Sequence, residues 1–405
     1  MIRKTTAFIG ALVLIIVTSL GTFVFGNLIQ FKVGDKILIS ETEYNKMKEV
    51  DEKFQKALYL QSYIEDNYYL TTKEDKFEDG ILKGLFSSLE DPYSEYMTKS
   101  EFSSFKAHTQ GTYGGIGIIV SPGEDGYITV VSPIEDTPGE RAGIITGDKI
   151  VKVNDKEVTA AKLDEAVSMM KGKPGTKVDL TIIRDNRKEP LKITIKREEI
   201  RLNTVKSRKI GNEIGYIRLT MFDDKTADDF KKHLKELEEK DIKGLVIDLR
   251  NNPGGSLREC VEIADHLLGK QVVVYTKTRD GKEEFLNSDA KKVDYPFVIL
   301  VNKGSASASE ILTGATKDTE SGVIIGTTTF GKGLVQAVRE LSDGTGFKLT
   351  ISQYFTPDGN YIHGKGIEPD IVVELPDELK DKVDLTDEED VQLQKALEVI
   401  RGKID

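Results

Sequence analysis

The chain has one cysteine among its 405 residues, Cys260, so an intramolecular disulfide bond is impossible. Cys260 lies in a helical pattern and is predicted to be a small buried apolar residue. Histidine is also scarce, and the spacing of the four histidines does not match a structural zinc site. They are His108, His233, His266 and His363. Positive charge is not in excess either: the formal net charge is −11, which argues against nucleic acid as a main partner.

One long apolar segment lies at the N-terminus. A short basic region, Met1–Lys4, precedes a stretch from Thr5 to Phe31 without a charged residue. Its most apolar part, Ala7–Phe25, is long enough to cross a hydrocarbon core of about 30 Å as a helix. Because no A-x-A cleavage site follows, an uncleaved signal anchor over residues 1–33 is favoured over a removed signal peptide. A single-pass cell-membrane protein with its bulk outside the cytoplasm is therefore predicted.

The rest of the chain, after this N-terminal segment, is long enough to form several domains. Apolar residues recur at three- and four-residue steps from Glu41 to Phe105, which predicts a helical region over 40–105. Short alternating strands with one late helix predict a small barrel over 106–199. Strands and helices then alternate over 200–376, which predicts an α/β layered core.

The last segment, 377–405, is predicted to be an acidic tail that ends in a helix. Its apolar residues Leu393, Ala396, Leu397 and Ile400 share one helical face. Such a stripe needs a partner, either the N-terminal helices of the same subunit or another subunit. A homo-oligomer formed through the N- and C-terminal helices is therefore possible.

Two glycine-containing motifs mark the second region. Tyr113–Gly117 reads Y-G-G-I-G, and Arg141–Ile150 reads R-A-G-I-I-T-G-D-K-I. Together they resemble a PDZ domain. In such a domain, glycine-flanked N–H groups hold the terminal carboxylate of a peptide that pairs with a strand edge. The predicted loop and the wall for an apolar last side chain comprise Gly114, Gly115, Ile116, Gly117, Ile118, Leu163, Ala166 and Met170. The alternative interpretation is a tight turn above ordinary core residues.

The third region contains a serine and a lysine, each just past a short apolar run. Ser307 stands where a predicted strand turns into a helix, and Lys332 stands between two glycines. A serine hydroxyl needs a neighbouring base, and a lysine can serve if burial keeps its amine neutral. Ala308 places a free helix N–H beside the serine, where it could hold an oxyanion. The alternative is structural, because Ser307-x-x-Glu310 also fits a capping box and a lysine between glycines is usually a solvated turn.

Longer motifs around these residues resemble the C-terminal processing proteases, the tail-specific serine peptidases. Gly304–Ile311 reads G-S-A-S-A-S-E-I, Gly331–Gln336 reads G-K-G-L-V-Q, and Asp248–Gly255 reads D-L-R-N-N-P-G-G. The resemblance implies a multidomain α/β fold. Its core would be crotonase/ClpP-like, with an inserted PDZ domain and an N-terminal helical region.

The same resemblance implies roles for individual residues. Ser307 would be the nucleophile, Lys332 the base, and Gln336 the residue that holds the lysine amine. Gly254 would supply a second oxyanion N–H alongside Ala308. No metal or organic cofactor is implied. The segment Asp91–Ser94, D-P-Y-S, would lead from the helical region into the next domain.

These observations predict a membrane-anchored serine endopeptidase that binds protein substrates by a free apolar C-terminus. One alternative is a non-catalytic PDZ adaptor built on a decayed protease core. Another is a Ser–His–Asp hydrolase that uses His363 or His266, although no serine lies in a G-x-S-x-G motif. A crotonase-like acyl transferase would share the strand–helix alternation but would not explain the PDZ segment.

Overall fold

The structure is a computed structural model that describes residues 4–28, 31–33, 36–71, 74–123, 125–134, 136–185, 187–289, 292–380 and 385–404. Residues 1–3 of the predicted basic region and residues 381–384 of the predicted tail lie outside the described residues. The chain divides into two units, Met1–Leu82 and Lys83–Asp405.

The first unit is mainly helical. Its elements are α1 (Lys4–Leu28), β1 (Phe31–Val33), β2 (Lys36–Leu38), α2 (Glu41–Asn67) and α3 (Glu74–Ser87), which ends in the second unit. A capping box begins α2: Glu43 N donates to Ser40 Oγ at 3.2 Å, and Ser40 N donates to Glu43 Oε2 at 3.1 Å. None of the residues of α2 is buried, and oligomerisation through this helix stays a prediction.

Among the helices that the structure describes, none combines the length and the apolarity that a membrane span requires.

The predicted helical region is interrupted by a short strand. After α3 the chain turns at Asp91-Pro92 and forms β3 (Glu95–Met97) before α4 (Lys99–Thr109). Proline cannot continue a helix, and Glu90 adopts a positive φ of 53° at the same turn. The strand pairs antiparallel with Gly346–Lys348 in the third region. The D-P-Y-S segment therefore leads onto a distant sheet before the next domain begins.

The region 106–199 is built mostly of short strands. Its elements are β4 (Thr112–Gly115), β5 (Ile118–Pro122), β6 (Ile128–Pro133), α5 (Pro138–Arg141), β7 (Lys149–Val153), β8 (Lys156–Glu157), a short 3₁₀ helix (Ala160–Lys162), α6 (Leu163–Met170), β9 (Lys177–Ile183), β10 (Leu191–Lys196) and β11 (Glu198–Arg201). The main sheet has the order β10-β9-β7-β6-β5, with β8 beside β7. The first and last strands, β4 and β11, pair antiparallel, so the region begins and ends at the same place.

The third region alternates strands and helices. Its elements are β12 (Val205–Ile210), β13 (Ile214–Leu219), α7 (Thr226–Glu238), β14 (Gly244–Asp248), α8 (Leu257–Leu267), β15 (Val272–Thr278), β16 (Glu283–Asn287), β17 (Phe297–Val301), α9 (Ala308–Asp318), β18 (Val323–Gly326), β19 (Leu334–Glu340), β20 (Gly346–Phe355), β21 (Ile371–Val372), α10 (Asp377–Lys380) and α11 (Val391–Ile404).

The larger of its two sheets has the order β12-β13-β14-β17-β18-β21 and is parallel except for β12. Every residue of β14 and β17 is buried, as expected for parallel strands covered on both faces. Helices α7, α8 and α9 contribute to the apolar core with one face of this sheet, and Cys260 is fully buried there. The prediction of an α/β layered core is confirmed.

The apolar stripe of α11 covers the opposite face of the same sheet. Leu397 and its neighbours join a buried cluster with Val246, Val298 and Leu300. The sequence prediction that this stripe needs the N-terminal helices or another subunit is therefore wrong. The physical reason is that a parallel sheet is apolar on both faces, so its second face needs a cover from its own chain.

Replacing Leu397 with alanine should therefore destabilise the second unit by about 3 kcal/mol, because it leaves a cavity against the sheet. Leu397 is 2% exposed. Denaturant unfolding would measure the loss. Glu398, whose side chain is 69% exposed, provides the control, and Glu398→Ala should change stability by no more than about 0.5 kcal/mol. Equal effects of the two variants would contradict the packing.

The smaller sheet has the order β16-β15-β20-β19, with β3 also paired to β20. Strands β16 and β19 were not predicted from the sequence. This sheet joins segments that are far apart in the chain, because β3 precedes the PDZ-like region and β20 follows it. It carries the glycine–lysine turn at the start of β19.

Candidate active site

Ser307 lies at the junction between β17 and α9 in a strained conformation. Its φ and ψ are 54° and −113°, a region that residues with a Cβ rarely adopt. The residue is half-buried and immediately precedes the first turn of α9. Such strain is costly, and it occurs mainly where function or surrounding structure demands it.

The three serines of the G-S-A-S-A-S-E-I motif differ in their surroundings. Ser305 is fully buried and its Oγ donates to Leu249 O at 2.8 Å. Ser309 is also fully buried, and its Oγ donates to Asn252 O at 2.9 Å. Both hydroxyls are used to join this loop to the end of β14. Ser307 is the more accessible of the three.

Lys332 lies in the turn between β18 and β19. The two positions that flank it have no room for a side chain, so both must be glycine. A Cβ on Gly331 would stand 2.8 Å from Gly366 N, and one on Gly333 would stand 2.9 Å from His363 N. Gly331 also has a positive φ of 91°. The turn is therefore packed against the loop that carries His363 and Gly366, and it is not an ordinary solvated turn.

The fully buried carboxylate of Glu310 joins the serine loop to the lysine turn. It accepts hydrogen bonds from Ser307 N at 2.9 Å, Lys332 N at 2.8 Å, Gly331 N at 2.6 Å and Thr329 Oγ1 at 2.6 Å. All four partners are donors, which suits an ionised carboxylate because it has only acceptor sites. The bond from Ser307 N to the Glu310 carboxylate is the one that the predicted capping box requires. The same carboxylate also binds the lysine turn.

Replacing Glu310 with glutamine should destabilise the fold by about 3 kcal/mol, because the amide turns its NH₂ group toward backbone donors. Cleavage should fall as well, since the serine loop and the lysine turn lose their common anchor. Thermal unfolding and kcat would be measured together. Glu239→Gln at an exposed position should change stability by less than about 0.5 kcal/mol. An unchanged melting temperature in Glu310→Gln would contradict this role.

Tyr354 makes a second connection between the two segments. Its hydroxyl lies at 3.2 Å from Ser307 O and makes a short contact with Lys332 O, and the residue is 1% exposed. Burial raises the pKa of Tyr354 well above its ordinary value, so the hydroxyl remains protonated, and its one hydrogen is shared between these two carbonyls. Ser307 and Lys332 are therefore held by two shared side chains.

The Lys332 amine lies over the ring of Tyr93 in a partly desolvated environment. Its Nζ stands 4.7 Å from the centroid of the Tyr93 ring. Burial, followed by the charge of Lys348, lowers the pKa of Lys332, whereas the charges of Asp91 and Glu310 oppose the shift. The net direction favours a neutral amine at lower pH than for an exposed lysine.

If the neutral amine is the base, kcat/KM should rise with pH through the pKa of Lys332. Asp91→Asn removes a charge that stabilises the protonated amine, so the midpoint should move to lower pH. Lys348→Met removes a repelling charge, so the midpoint should move to higher pH. A pH–rate profile of each variant measures the shifts. Shifts in the same direction, or none, would contradict this electrostatic account.

Gln336 lies near this turn but is not hydrogen-bonded to the lysine amine in the part of the chain that the structure describes. Its Nε2 donates to Thr350 Oγ1 at 3.2 Å, and Thr350 N donates to Ser94 Oγ at 2.9 Å. The structure thus differs from the expected Gln336–Lys332 contact, because the Thr350 hydroxyl of β20 takes the amide. The role of Gln336 stays a prediction.

The two predicted oxyanion donors lie side by side. A Cβ on Gly254 would stand 2.8 Å from Ser307 Cβ and 2.9 Å from Ala308 N. Ala308 N lies at the helix start and has no hydrogen-bond acceptor among the described residues. Gly254 N, in contrast, donates to Asn252 Oδ1 at 2.9 Å. Only the Ala308 N–H is open in this arrangement, and Gly254 would need to leave Asn252 before it could act.

Behind the Gly254 loop lies a buried network around the D-L-R motif. Arg250 donates from Nη2 to Asp248 Oδ2 and to Asp390 Oδ2, both at 2.7 Å. Tyr216 OH also donates to Asp248 Oδ2 at 2.7 Å. Burial alone would raise the pKa of Asp248, but the adjacent Arg250 guanidinium outweighs burial and lowers it. The start of α11 is thereby tied to the loop that carries Gly254.

Neither histidine of the alternative hydrolase forms a triad in the described residues. His363 Nδ1 accepts from Gly333 N at 3.4 Å, and the His363 ring contacts Tyr93 and Tyr361. His266 lies on α8, where burial lowers its pKa. The described part of the chain also contains no group of three or more metal-ligating side chains that could hold a metal ion.

The predicted carboxylate loop of the PDZ-like region is partly used by the fold. Gly114 and Gly115 lie in β4 and pair with β11. Gly117 has a positive φ of 72° and its carbonyl accepts from Ile134 N at 2.9 Å. The adjacent strand, β5, is the last strand of the sheet, so its outer edge is available for an added strand.

The predicted walls of the groove divide into two groups. Ile116, Ala166 and Met170 are buried in the core of this region, as the alternative interpretation expected. Ile118 and Leu163 are half-buried at its edge. The three buried side chains belong to the core of this region, and Ile118 and Leu163 are the partly exposed members of the predicted set.

Sequence reasoning missed three residues of this site. Glu310 was noticed only as a capping residue, Tyr93 only as part of the D-P-Y-S connection, and Tyr354 was given no role. The D-P-Y-S and Y-F-T-P motifs that contain the two tyrosines are the signal that could have found them. What the motifs do not show is that β3 and β20 bring these two tyrosines to the same lysine turn.

Comparison with known proteins adds independent information. The family model of peptidase family S41 matches residues 213–373, the PDZ domain model matches residues 129–184, and the model of the N-terminal domain of the activating protease CtpB matches residues 15–101.

Two carboxy-terminal processing proteases of Bacillus subtilis (strain 168) are similar to the chain. CtpA is 40% identical over 332 residues, which cover 82% of this chain and 71% of CtpA. CtpB is 40% identical over 352 residues, which cover 84% of this chain and 72% of CtpB. A solved chain from Bacteroides fragilis assigned to the S41 proteases shares the fold. Its TM-score is 0.52 at 16% identity, with 83% of this chain and 91% of that chain covered.

Proposed function

Because the chain belongs to the carboxy-terminal processing proteases of peptidase family S41, we propose that its serine peptidase activity depends on a Ser307–Lys332 dyad. The observation that carries this proposal is the shared anchoring of both residues. Glu310 binds the backbone N–H groups of Ser307 and Lys332, and Tyr354 OH contacts their carbonyls. This arrangement joins the backbones of the two residues through common partners, and it supports their action as a pair.

The proposed reaction has two halves. Ser307 Oγ attacks the substrate carbonyl carbon as Lys332 Nζ takes its proton, and the carbonyl oxygen becomes an oxyanion near Ala308 N. The C–N bond then breaks, and the leaving amine takes the proton from Lys332. In the second half, water gives a proton to Lys332 and attacks the acyl-enzyme, which releases the new carboxyl terminus and returns the proton to Ser307.

A cleavage assay tests this function. The full chain in detergent is incubated with an unfolded protein, with and without EDTA, and the new termini are identified by mass spectrometry. Hydrolysis of internal peptide bonds that persists in EDTA is expected. The absence of new termini would contradict the endopeptidase activity, and complete inhibition by EDTA would contradict a metal-independent dyad.

The PDZ domain is proposed to bind the free C-terminus of the substrate. The outer edge of β5 and the half-buried Ile118 and Leu163 support this role. A peptide ending in an apolar residue should be cleaved with a lower KM as the free acid than as the C-terminal amide, because the amide lacks the charge. Equal KM values would contradict C-terminal recognition.

The chain is also proposed to be anchored in the cell membrane by its N-terminal apolar segment, with the peptidase outside the cytoplasm. The support is the uncharged run from Thr5 to Phe31 behind a basic start. The full chain should remain with membranes after a carbonate wash, and a variant without residues 1–31 should be recovered in the supernatant. A shortened mature chain in the supernatant of wild-type cells would instead show cleavage of the segment.

A further inference from the structure

A row of aromatic rings crosses the smaller sheet of the peptidase. Tyr275 on β15 lies directly opposite Phe285 on β16 and Phe355 on β20. The centroid of the Tyr275 ring is 4.9 Å from that of Phe285 and 5.1 Å from that of Phe355, with interplanar angles of 24° and 9°. Three strands therefore present stacked rings on one face.

The row continues beyond the sheet toward the lysine turn. The ring of Tyr361 is 5.4 Å from that of Phe355, and the ring of His363 is 5.9 Å from that of Tyr361. Tyr93 follows at 6.2 Å from His363, and Lys332 Nζ lies 4.7 Å from the Tyr93 ring. We refer to the six rings as the aromatic ladder: Phe285, Tyr275, Phe355, Tyr361, His363 and Tyr93.

The ladder lies on the accessible side of its sheet. The opposite face of the sheet is covered by the apolar core, where Val274 and Tyr354 are each only 1% exposed. Phe285 at the far end is 50% exposed, and the other five rings are half-buried. Two elements outside the sheet, the Asp91–Ser94 turn and the loop that carries Tyr361 and His363, extend the ladder to Lys332.

The rings are close enough together to form a continuous surface along which an extended peptide could lie. Successive centroids are 4.9 to 6.2 Å apart. In an extended chain, side chains on one face repeat about every 6.6 Å. The ring spacing is shorter than this repeat, so the side chains on one face of such a peptide would lie over and between the rings without a one-to-one register, and its other side chains would face solvent.

We infer that the aromatic ladder binds an unfolded, extended substrate segment that carries apolar or aromatic residues at alternate positions and leads it to Ser307 and Lys332. The occupant follows from the continuity of the ladder with the site, since its last ring contacts the amine of Lys332. This inference rests on the proposed endopeptidase function and adds a substrate preference to it. The ladder would be separate from the PDZ groove, which takes the C-terminus.

Two short quenched-fluorescence peptides test the ladder. They share the same cleaved bond and the same free C-terminus, extend about ten residues to each side of that bond so that an extended chain reaches Phe285, and differ by Phe or Ser at alternate positions. Wild type should favour the Phe peptide in kcat/KM by about tenfold. Phe285→Ala and Tyr275→Ala should bring that ratio toward one, mainly through KM, and Phe285→Leu should retain part of the preference.

Two controls accompany these variants. Val372→Ala removes a residue of similar exposure, 56%, on β21 of the other sheet, and it should keep the wild-type ratio. Thermal unfolding should show that Phe285→Ala is folded. Binding is measured separately by fluorescence anisotropy in a Ser307→Ala background, where the Phe peptide should bind about tenfold tighter than the Ser peptide.

The outcomes separate this inference from the proposed function. Ser307-dependent cleavage of both peptides at equal rates overturns the ladder and leaves the peptidase function intact. An unchanged preference in folded Phe285→Ala and Tyr275→Ala also overturns the ladder. Cleavage of neither peptide or of any unfolded protein would contradict the proposed function and remove the basis of the ladder with it.

Discussion

Ser307→Ala is expected to abolish peptide cleavage while the chain stays folded. Without the hydroxyl no acyl-enzyme can form, and the loss in kcat should be about 10⁴-fold or more. The alanine should be accepted by the fold, because the anchors of this loop are the backbone N–H and C=O of residue 307. Product analysis and thermal unfolding measure the two effects separately.

The motif itself provides the matched control. Ser309→Ala removes a hydroxyl two residues away that donates to Asn252 O. That variant should lose about 1 kcal/mol of stability and keep most of its activity. If Ser309→Ala were inactive and Ser307→Ala active, the nucleophile would be assigned to the wrong serine.

Lys332→Arg is the second change that should remove activity. A guanidinium keeps its proton throughout the accessible pH range, so it cannot accept the proton of Ser307. The expected loss is about 10³-fold or more at every pH, and raising the pH should not restore the rate. Initial rates across the pH range measure this.

Lys303→Arg serves as the control for this substitution, because Lys303 is exposed in the turn that precedes the serine motif. Its activity and stability should match the wild type. An active Lys332→Arg enzyme would rule out a neutral lysine base, and the Lys332 amine would then serve only to bind substrate.

The positions of Ser307 and Lys332 in the fold were easier to predict from the sequence than the contacts that hold them. Ser307 and Lys332 each follow a short apolar strand, and local pattern shows this directly. Glu310 is different, because its partners Thr329 and Lys332 are about twenty residues away, and only the folded α9–β19 arrangement brings them together. Tyr354 depends in the same way on the pairing of β20 with β19.

Other predictions failed or stayed open for related reasons. The apolar face of α11 was predicted correctly, but the sequence pattern alone does not indicate which surface packs against that face. The expected Gln336–Lys332 contact is replaced by a bond to Thr350, because a short side chain on the neighbouring strand competes for the amide. Gly254 lies close to Ser307 and Ala308, but its N–H donates to Asn252 Oδ1, so its expected oxyanion role stays a prediction. Backbone position follows from motif and spacing, whereas individual hydrogen bonds depend on nearby competitors.

The central claim is that Lys332 activates Ser307. The most direct measurement is the rate at which a fluorophosphonate modifies Ser307, followed by mass spectrometry at a series of pH values. In the wild type this rate should rise with pH through the same midpoint as peptide cleavage, and Lys332→Met should label at least about 10³-fold more slowly with no such midpoint. Labelling of Ser307 at the wild-type rate in folded Lys332→Met would contradict the claim.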